Sequence, residues 1–228
     1  MDTRSDSAEI ERLRAELDVL LYATSHDLAE PARTVRGFLD LLQRRYGSAL
    51  DDDAREFIGF AVDAAGRLEV MLAGLLELGR IGRQEPAHVA LDLAAIAEAA
   101  AAGFRPNVTA AGGKLEIGEL PACEGDPDLW RRLIAILIDN ALTYRSAAPP
   151  VIRIDGEAGR ITIADNGIGI AAEFHERIFE PFQRLHTRDA IPGVGMGLAI
   201  ARKIAERQGR RIELSSSPGT GSRFAIVG

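Results

Sequence analysis

The stretch ITIADNGIGI, residues 161–170, decides the fold. Its first half, Ile161 to Ala164, is an apolar run of strand type that stops at Asp165, followed by Asn166, Gly167, Ile168 and Gly169. A carboxylate at a strand end is an acceptor that can hold an exocyclic amine such as that of adenine, and glycines beside it let the backbone come close to a ligand. Further along, GVGMG at residues 193–197 opens a helical stretch beginning Leu198-Ala199-Ile200. Glycines at a helix start let backbone amides approach a phosphate, where the dipole also favours negative charge. A lone GxGxG is as compatible with a tight loop as with a ligand site, whereas two such motifs at strand and helix ends point to a site. Neither contains the GKS or GKT of a P-loop, and no strand leads into the second as a Rossmann fingerprint requires.

Outward from this segment the chain alternates strands and helices. Lys114–Ile117, Val151–Ile154, Arg160–Ala164, Arg211–Ser215 and Ser222–Val227 have strand patterns. Helices are predicted over Ala94–Ala102, over Gly197–Gln208, and from the Asp126-Pro127 pair through Trp130, Leu133, Ile134, Leu137, Ile138 and Leu142. Aspartate caps that last helix and proline fits its first turn. Such an order gives a mixed sheet with helices packed on it, with Trp130 and Cys123 expected in the core.

Upstream of Gly79 almost nothing is strand-like. From Ala8 to about Tyr46 apolar residues recur at helical spacings, with Ile10, Leu13, Leu17 and Leu20 alternating three and four as in a coiled-coil seam. Gly47 and Ser48 break the pattern, and Asp51, Asp52 and Asp53 supply capping and dipole-favoured charge for a second helix carrying Phe57, Phe60, Leu68, Met71, Leu72, Leu75 and Leu78. The short connection folds the two helices into an antiparallel hairpin. A hairpin cannot bury its apolar stripe alone, so a homodimer forming a four-helix bundle is expected. The stretch GRIGRQEP, residues 79–86, reads as a linker, dividing the chain into 1–82 and 83–228.

On a helical wheel advancing roughly 100° per residue, Leu13, Leu17, Leu20, Leu21, Leu28, Val35, Phe38, Leu39 and Leu42 fall about 120° to 220° away from His26. His26 therefore sits on the polar face, beside Asp27, with Glu30 one turn on. A solvent-facing imidazole beside a carboxylate is a plausible nucleophile toward phosphorus, since the carboxylate can accept the ring proton as the new bond forms. Pro31 removes one backbone hydrogen bond just past it and should bend the helix there.

Composition sets the remaining bounds. The chain has 228 residues, 46% hydrophobic and 27% charged, enough to build cores rather than a disordered chain. A net charge of −7 argues against non-specific nucleic-acid binding. A single cysteine excludes a disulfide framework and a cysteine-based zinc site. No apolar run approaches the roughly 20 residues of a membrane span, and the amino terminus lacks the apolar region of a signal peptide. A cytoplasmic location is expected.

Together these motifs resemble the transmitter of a two-component sensor histidine kinase, of the phytochrome-type and PAS-coupled kind. Ser25-His26-Asp27-Leu28-Ala29-Glu30-Pro31 resembles the family's H box, Asp139-Asn140-Ala141-Leu142 the end of its N box, and Asp165 to Gly169 its first G box. Phe179-Glu180-Pro181-Phe182 resembles the F box, Gly193 to Gly197 the second G box, and Gly219-Thr220-Gly221-Ser222-Arg223-Phe224 the last glycine-rich turn and strand. The resemblance implies a dimerisation and phosphotransfer hairpin at 1–82 and a Bergerat-type, two-layer α/β ATP-binding domain at 83–228.

It further implies His26 as phosphoacceptor with Asp27 as proton acceptor, and Asn140 as a ligand to Mg²⁺ bridging the ATP phosphates. Asp165 would hold the adenine amine, with Gly167, Gly169 and Ser222 beside it and Tyr144 on the base. Gly193, Gly195 and Gly197 would flank the triphosphate beneath a lid between Phe182 and Pro192, from which Arg184 would reach the γ-phosphate. No chemistry is assigned to His88, His175 or His186. The implied partners are a second copy of the chain, a response-regulator receiver domain and an upstream sensor domain or protein. The sequence departs from the family at Ile136, where an asparagine or glutamate usually stands, at Thr143, often lysine, and at Glu30, often threonine or asparagine. Ile136 disfavours hydrolysis of ATP by water, and with Thr143 it leaves a phosphorelay or scaffold module with a weakened ATP site as the alternative.

Overall fold

The computed structural model describes residues 3–185, 191 and 193–228, and the chain divides into two compact units, Met1–Arg83 and Gln84–Gly228. The His186 and Pro192 positions of the expected lid, and the side chain of Ile10, lie outside the described residues.

The first unit is a hairpin of α1 (Thr3–Tyr46) and α2 (Asp52–Arg83). Asp51 caps α2, its Oδ1 accepting the Ala54 amide at 2.8 Å, and Asp52 and Asp53 fall in the first turn, where the helix dipole favours them. The helix α1 continues through Pro31. Small residues make the seam: Ala29 and Ala32 are buried against Leu72, with Leu76 packed alongside, and Arg36 bridges to Glu69 at 2.5 Å. The wheel is corrected here. The helix α2 covers the arc of Ser25, Ala29 and Ala32, about a quarter turn from the predicted stripe. Most of the stripe stays exposed, Leu17 and Phe38 each at 65%, with Phe57 at 67% on α2, while Leu21 and Leu39 at its edge are half-buried.

The expected linker is also partly helix, because α2 runs on to Arg83. Gly79 is there for proximity rather than chain breaking: a Cβ on it would lie 3.0 Å from the Tyr22 Cβ and 3.1 Å from the Asp18 carbonyl oxygen. Contact with α1 offsets the roughly 1 kcal/mol that glycine costs a helix interior.

The second unit runs β1 (Val89–Leu91), α3 (Leu93–Ala101), α4 (Arg105–Ala110), β2 (Lys114–Ile117), β3 (Cys123–Gly125), α5 (Pro127–Thr143), β4 (Val151–Glu157), β5 (Arg160–Asp165), α6 (Gly197–Arg207), β6 (Arg211–Ser217) and β7 (Gly221–Val227). Its main sheet has the order β2-β4-β5-β7-β6, parallel between β2 and β4 and antiparallel elsewhere, while β1 and β3 form a small antiparallel pair. The central strands carry buried Ile152, Ile154, Ile161, Ile163, Phe224 and Ile226. Trp130, Leu133, Ile134, Leu137 and Ile138 of α5 and Ile204 of α6 are buried as well, completing a helix-on-sheet sandwich. Cys123 is only half-buried, accepting from Arg210 at 3.0 Å.

Asp126 does more than cap α5. Its Oδ1 accepts the Asp128 and Leu129 amides at 3.0 and 3.1 Å, and its Oδ2 accepts the Ala87 amide at 3.1 Å, tying the start of the unit to the helix.

Candidate functional site

Asp165 ends β5 opposite Ser222 on β7. Its Oδ1 accepts the Gly167 amide at 2.7 Å and the Ser222 amide at 3.2 Å, so the carboxylate is aimed by the backbone on both sides. Burial pushes its pKa above the ordinary carboxylate value, and the two amide donors pull part of that back. Gly167 is required by crowding: a Cβ there would fall 2.5 Å from the Tyr144 carbonyl oxygen, which accepts the Ile168 amide at 3.0 Å.

Behind the acid lies a hub that sequence reasoning missed. The Ser216 hydroxyl accepts the Ile170 amide at 2.8 Å, donates to the Gly221 carbonyl at 2.8 Å and lies 3.1 Å from the Ser222 hydroxyl. It therefore fastens the residues after Asp165 to the β6–β7 turn. One serine among Ser215, Ser216 and Ser217 carries no sequence signal; only the pairing of Ser216 with Ser222 singles it out. His175 is structural too, its Nε2 lying 3.2 Å from the Ile170 carbonyl oxygen.

Asp165 opens on a cavity of about 470 Å³, within the range of small-molecule sites. Asn140, Tyr144, Asp165, Gly169, Arg184, Gly193, Gly195, Gly197 and Ser222 all line it, whereas Gly167 shapes it from behind. Arg132, Ile136, Asp139 and Thr143 line it along α5, and of these Arg132 and Asp139 were not singled out as binding residues from sequence. The α6 start, Gly197 and Leu198, also faces the cavity, and Met196 at its N-cap gives no side-chain cap to the first-turn amides. Those amides have no partner within the helix and border a ligand-sized space, an arrangement that suits an anion.

The second glycine motif is anchored to Phe182 and Gln183. Phe182, in the left-handed region at φ 65°, donates its amide to the Gly195 carbonyl at 2.9 Å. A Cβ on Gly195 would sit 2.6 Å from the Gln183 carbonyl oxygen. Arg184, half-buried on the cavity wall, donates to the Ile191 carbonyl.

In the hairpin unit, His26 is exposed at 66% of its side chain, and its Nδ1 lies 3.4 Å from the Asp27 Oδ1. The ring is not packed into the Ala29–Leu72 seam.

Residues 125–227 match the family model described as histidine kinase-, DNA gyrase B-, and HSP90-like ATPase. The phytochrome-like protein Cph1 of Synechocystis sp. is 37% identical over 219 residues, covering 94% of this chain. The chain belongs to the histidine kinase family. It spans 29% of the length of Cph1. Among solved structures, this histidine kinase chain is similar to full-length ShkA in complex with AMPPNP, with a TM-score of 0.65 at 22% identity, over 91% of this chain and 44% of that one. It is also similar to histidine kinase ThkA in complex with response regulator protein TrrA, with a TM-score of 0.63 at 21% identity, over 99% and 66%. At those identities the likeness establishes the fold: a helical hairpin followed by the α/β sandwich. Among the described residues no helix is long and apolar enough to cross a membrane.

Proposed function

We propose that the chain is an ATP-dependent protein histidine autokinase that phosphorylates His26 and passes the phosphoryl group to an aspartate of a response-regulator receiver domain. The hairpin, 1–82, is assigned dimerisation and phosphotransfer, and 83–228 nucleotide binding. One observation carries the reading: a single cavity gathers the strand-end acid, both glycine motifs, the open α6 start and Asn140, in a chain that also exposes an imidazole beside a carboxylate.

Asp165 is the acceptor for the adenine amine, with Tyr144 at the base and Ser222 holding the acid. Gly193, Gly195, Gly197 and the first amides of α6 face the phosphates, and Arg184 supplies positive charge from the lid side. Neutral His26 attacks the γ-phosphorus through Nε2, the bond to the β,γ-bridging oxygen breaks, and ADP leaves. The Nδ1 proton, now acidic, passes to Asp27.

Asn140 and neighbouring Asp139 both line the cavity and offer hard oxygen donors, a set that fits Mg²⁺. The ion would neutralise charge on the phosphates when bound. Ile136, one turn earlier on the same wall, offers no donor.

The exposed stripes of α1 and α2 support a homodimer, since burying each such side chain is worth about 1.5–3 kcal/mol. An upstream sensor would couple through the coiled-coil-like start of α1. The TrrA complex of ThkA and the AMPPNP complex of ShkA support the receiver and nucleotide assignments by analogy. Ile136 and Thr143 on the cavity wall favour one alternative, a phosphorelay or scaffold module with a weakened ATP site. Incubation with γ-labelled ATP followed by a receiver domain separates the two. The kinase reading expects label on the chain and then on the receiver; no nucleotide binding in the presence of Mg²⁺ selects the scaffold.

A further inference from the structure

Tyr22 stands one turn before His26 on α1, and the two rings stack with centroids 6.2 Å apart and planes 25° from parallel. The Arg83 guanidinium carbon sits 3.9 Å from the centre of the same Tyr22 ring, as a cation over an aromatic face. The close approach of α2 to α1 at Gly79 brings Arg83 there, one turn beyond, and the Arg83 Nε donates back to the Gly79 carbonyl at 3.4 Å. Ser25 and Ala29, on either side of His26, are buried, so the helix cannot rotate to free the ring.

We propose that Tyr22, held by Arg83, is a positioning residue for the His26 imidazole. Tyr22 walls one side of a ring that is otherwise exposed and keeps Nδ1 toward Asp27, so that the opposite nitrogen is the one presented for attack. Arg83, the last residue of α2, fixes Tyr22 from the far side. This deepens the assignment of His26 as phosphoacceptor and rests on it.

The test uses the full chain with Tyr22→Leu, Tyr22→Phe and Arg83→Gln. Tyr22→Leu is expected to slow ATP labelling of His26 roughly tenfold, as a misplaced nucleophile does. It should also remove the ring-current displacement of the His26 ring protons in NMR spectra, while leaving nucleotide affinity unchanged. Tyr22→Phe should keep both the rate and the displacement. Arg83→Gln, an exposed change that spares the packing, should slow labelling several-fold and shift the same ring protons. Parent-like labelling in both Tyr22→Leu and Arg83→Gln, or His26 proton shifts unmoved by Tyr22→Leu, overturns the proposal. A parent chain that takes no label refutes the phosphoacceptor assignment instead, and the proton shifts still decide whether Tyr22 orients the ring.

Discussion

The Asp165 Oδ1 lies 2.7 Å from the amide nitrogen of Gly167, so the acid at the end of β5 is oriented by its own chain two residues later. The same acid is buried enough that its pKa is raised, which sets function against stability. A carboxyl whose folded pKa exceeds its unfolded value favours the fold below the unfolded value, and that contribution is lost as pH rises through the folded one. At neutral pH the ionised group is therefore a cost. Asp165→Asn should melt at or above the parent temperature at pH 7, with the gap narrowing as pH falls toward the ordinary 3.8. ATP affinity should drop roughly tenfold to a hundredfold, the worth of a hydrogen bond to a charged acceptor. Calorimetric titration and a pH series of melting curves check both.

Two of the three glycines of the second motif should respond differently. Gly193 has φ 134° with open space around its Cβ direction, whereas Gly195 has φ 74° and no room beside Gln183 and Phe182. Alanine strains the backbone at both positions, but only at Gly195 does its Cβ also meet backbone, 2.6 Å from the Gln183 carbonyl oxygen, so Gly195→Ala should weaken nucleotide binding more than Gly193→Ala, by about 1–3 kcal/mol. Because the strain is confined to the loop, melting of the sandwich should change little. Binding titrations of the two variants side by side give the comparison.

Ser216→Ala removes the acceptor for the Ile170 amide and the donor to the Gly221 carbonyl. Stability of the ATP-binding unit should fall by about 1–3 kcal/mol for the unsatisfied group. Discrimination between ATP and GTP should fall as well, since the hydroxyl fastens the segment that aims Asp165. Denaturant unfolding and paired nucleotide titrations read the two effects separately.

Much of the sandwich was legible in the chain because its strands and helices are long enough for periodicity to speak. The Asp126-Pro127 start of α5 and the Asp165 strand end fall where pattern and capping chemistry place them. What escaped is short or tertiary. The strands β1 and β3 have three residues each, and α4 has six, too few for a period to register. Gly79 resembles a chain breaker in sequence, yet it sits inside α2 because Tyr22 presses on it. The wheel found the apolar stripe of α1 but could not say that alanines, a quarter turn away, form the intramolecular seam.

That separation of seam from stripe yields a prediction about assembly. Leu20 and Phe38, exposed at 62% and 65%, lie on the stripe and away from the Ala29–Leu72 contact. Leu20→Glu with Phe38→Glu should convert a dimer into a monomer, because each change places a charge where about 1.5–3 kcal/mol of burial was available. Light scattering coupled to size exclusion reports the mass, and a parent that runs as a monomer at micromolar concentration contradicts the assignment.

The central claim is that an exposed imidazole on a helical hairpin receives the γ-phosphoryl group of a nucleotide held at Asp165. It is tested most directly by incubating the chain and His26→Gln with γ-labelled ATP and measuring acid-labile label on the protein. The account predicts label on the parent, stable in alkali and lost in acid, and none on His26→Gln. Equal labelling of the two proteins would contradict it.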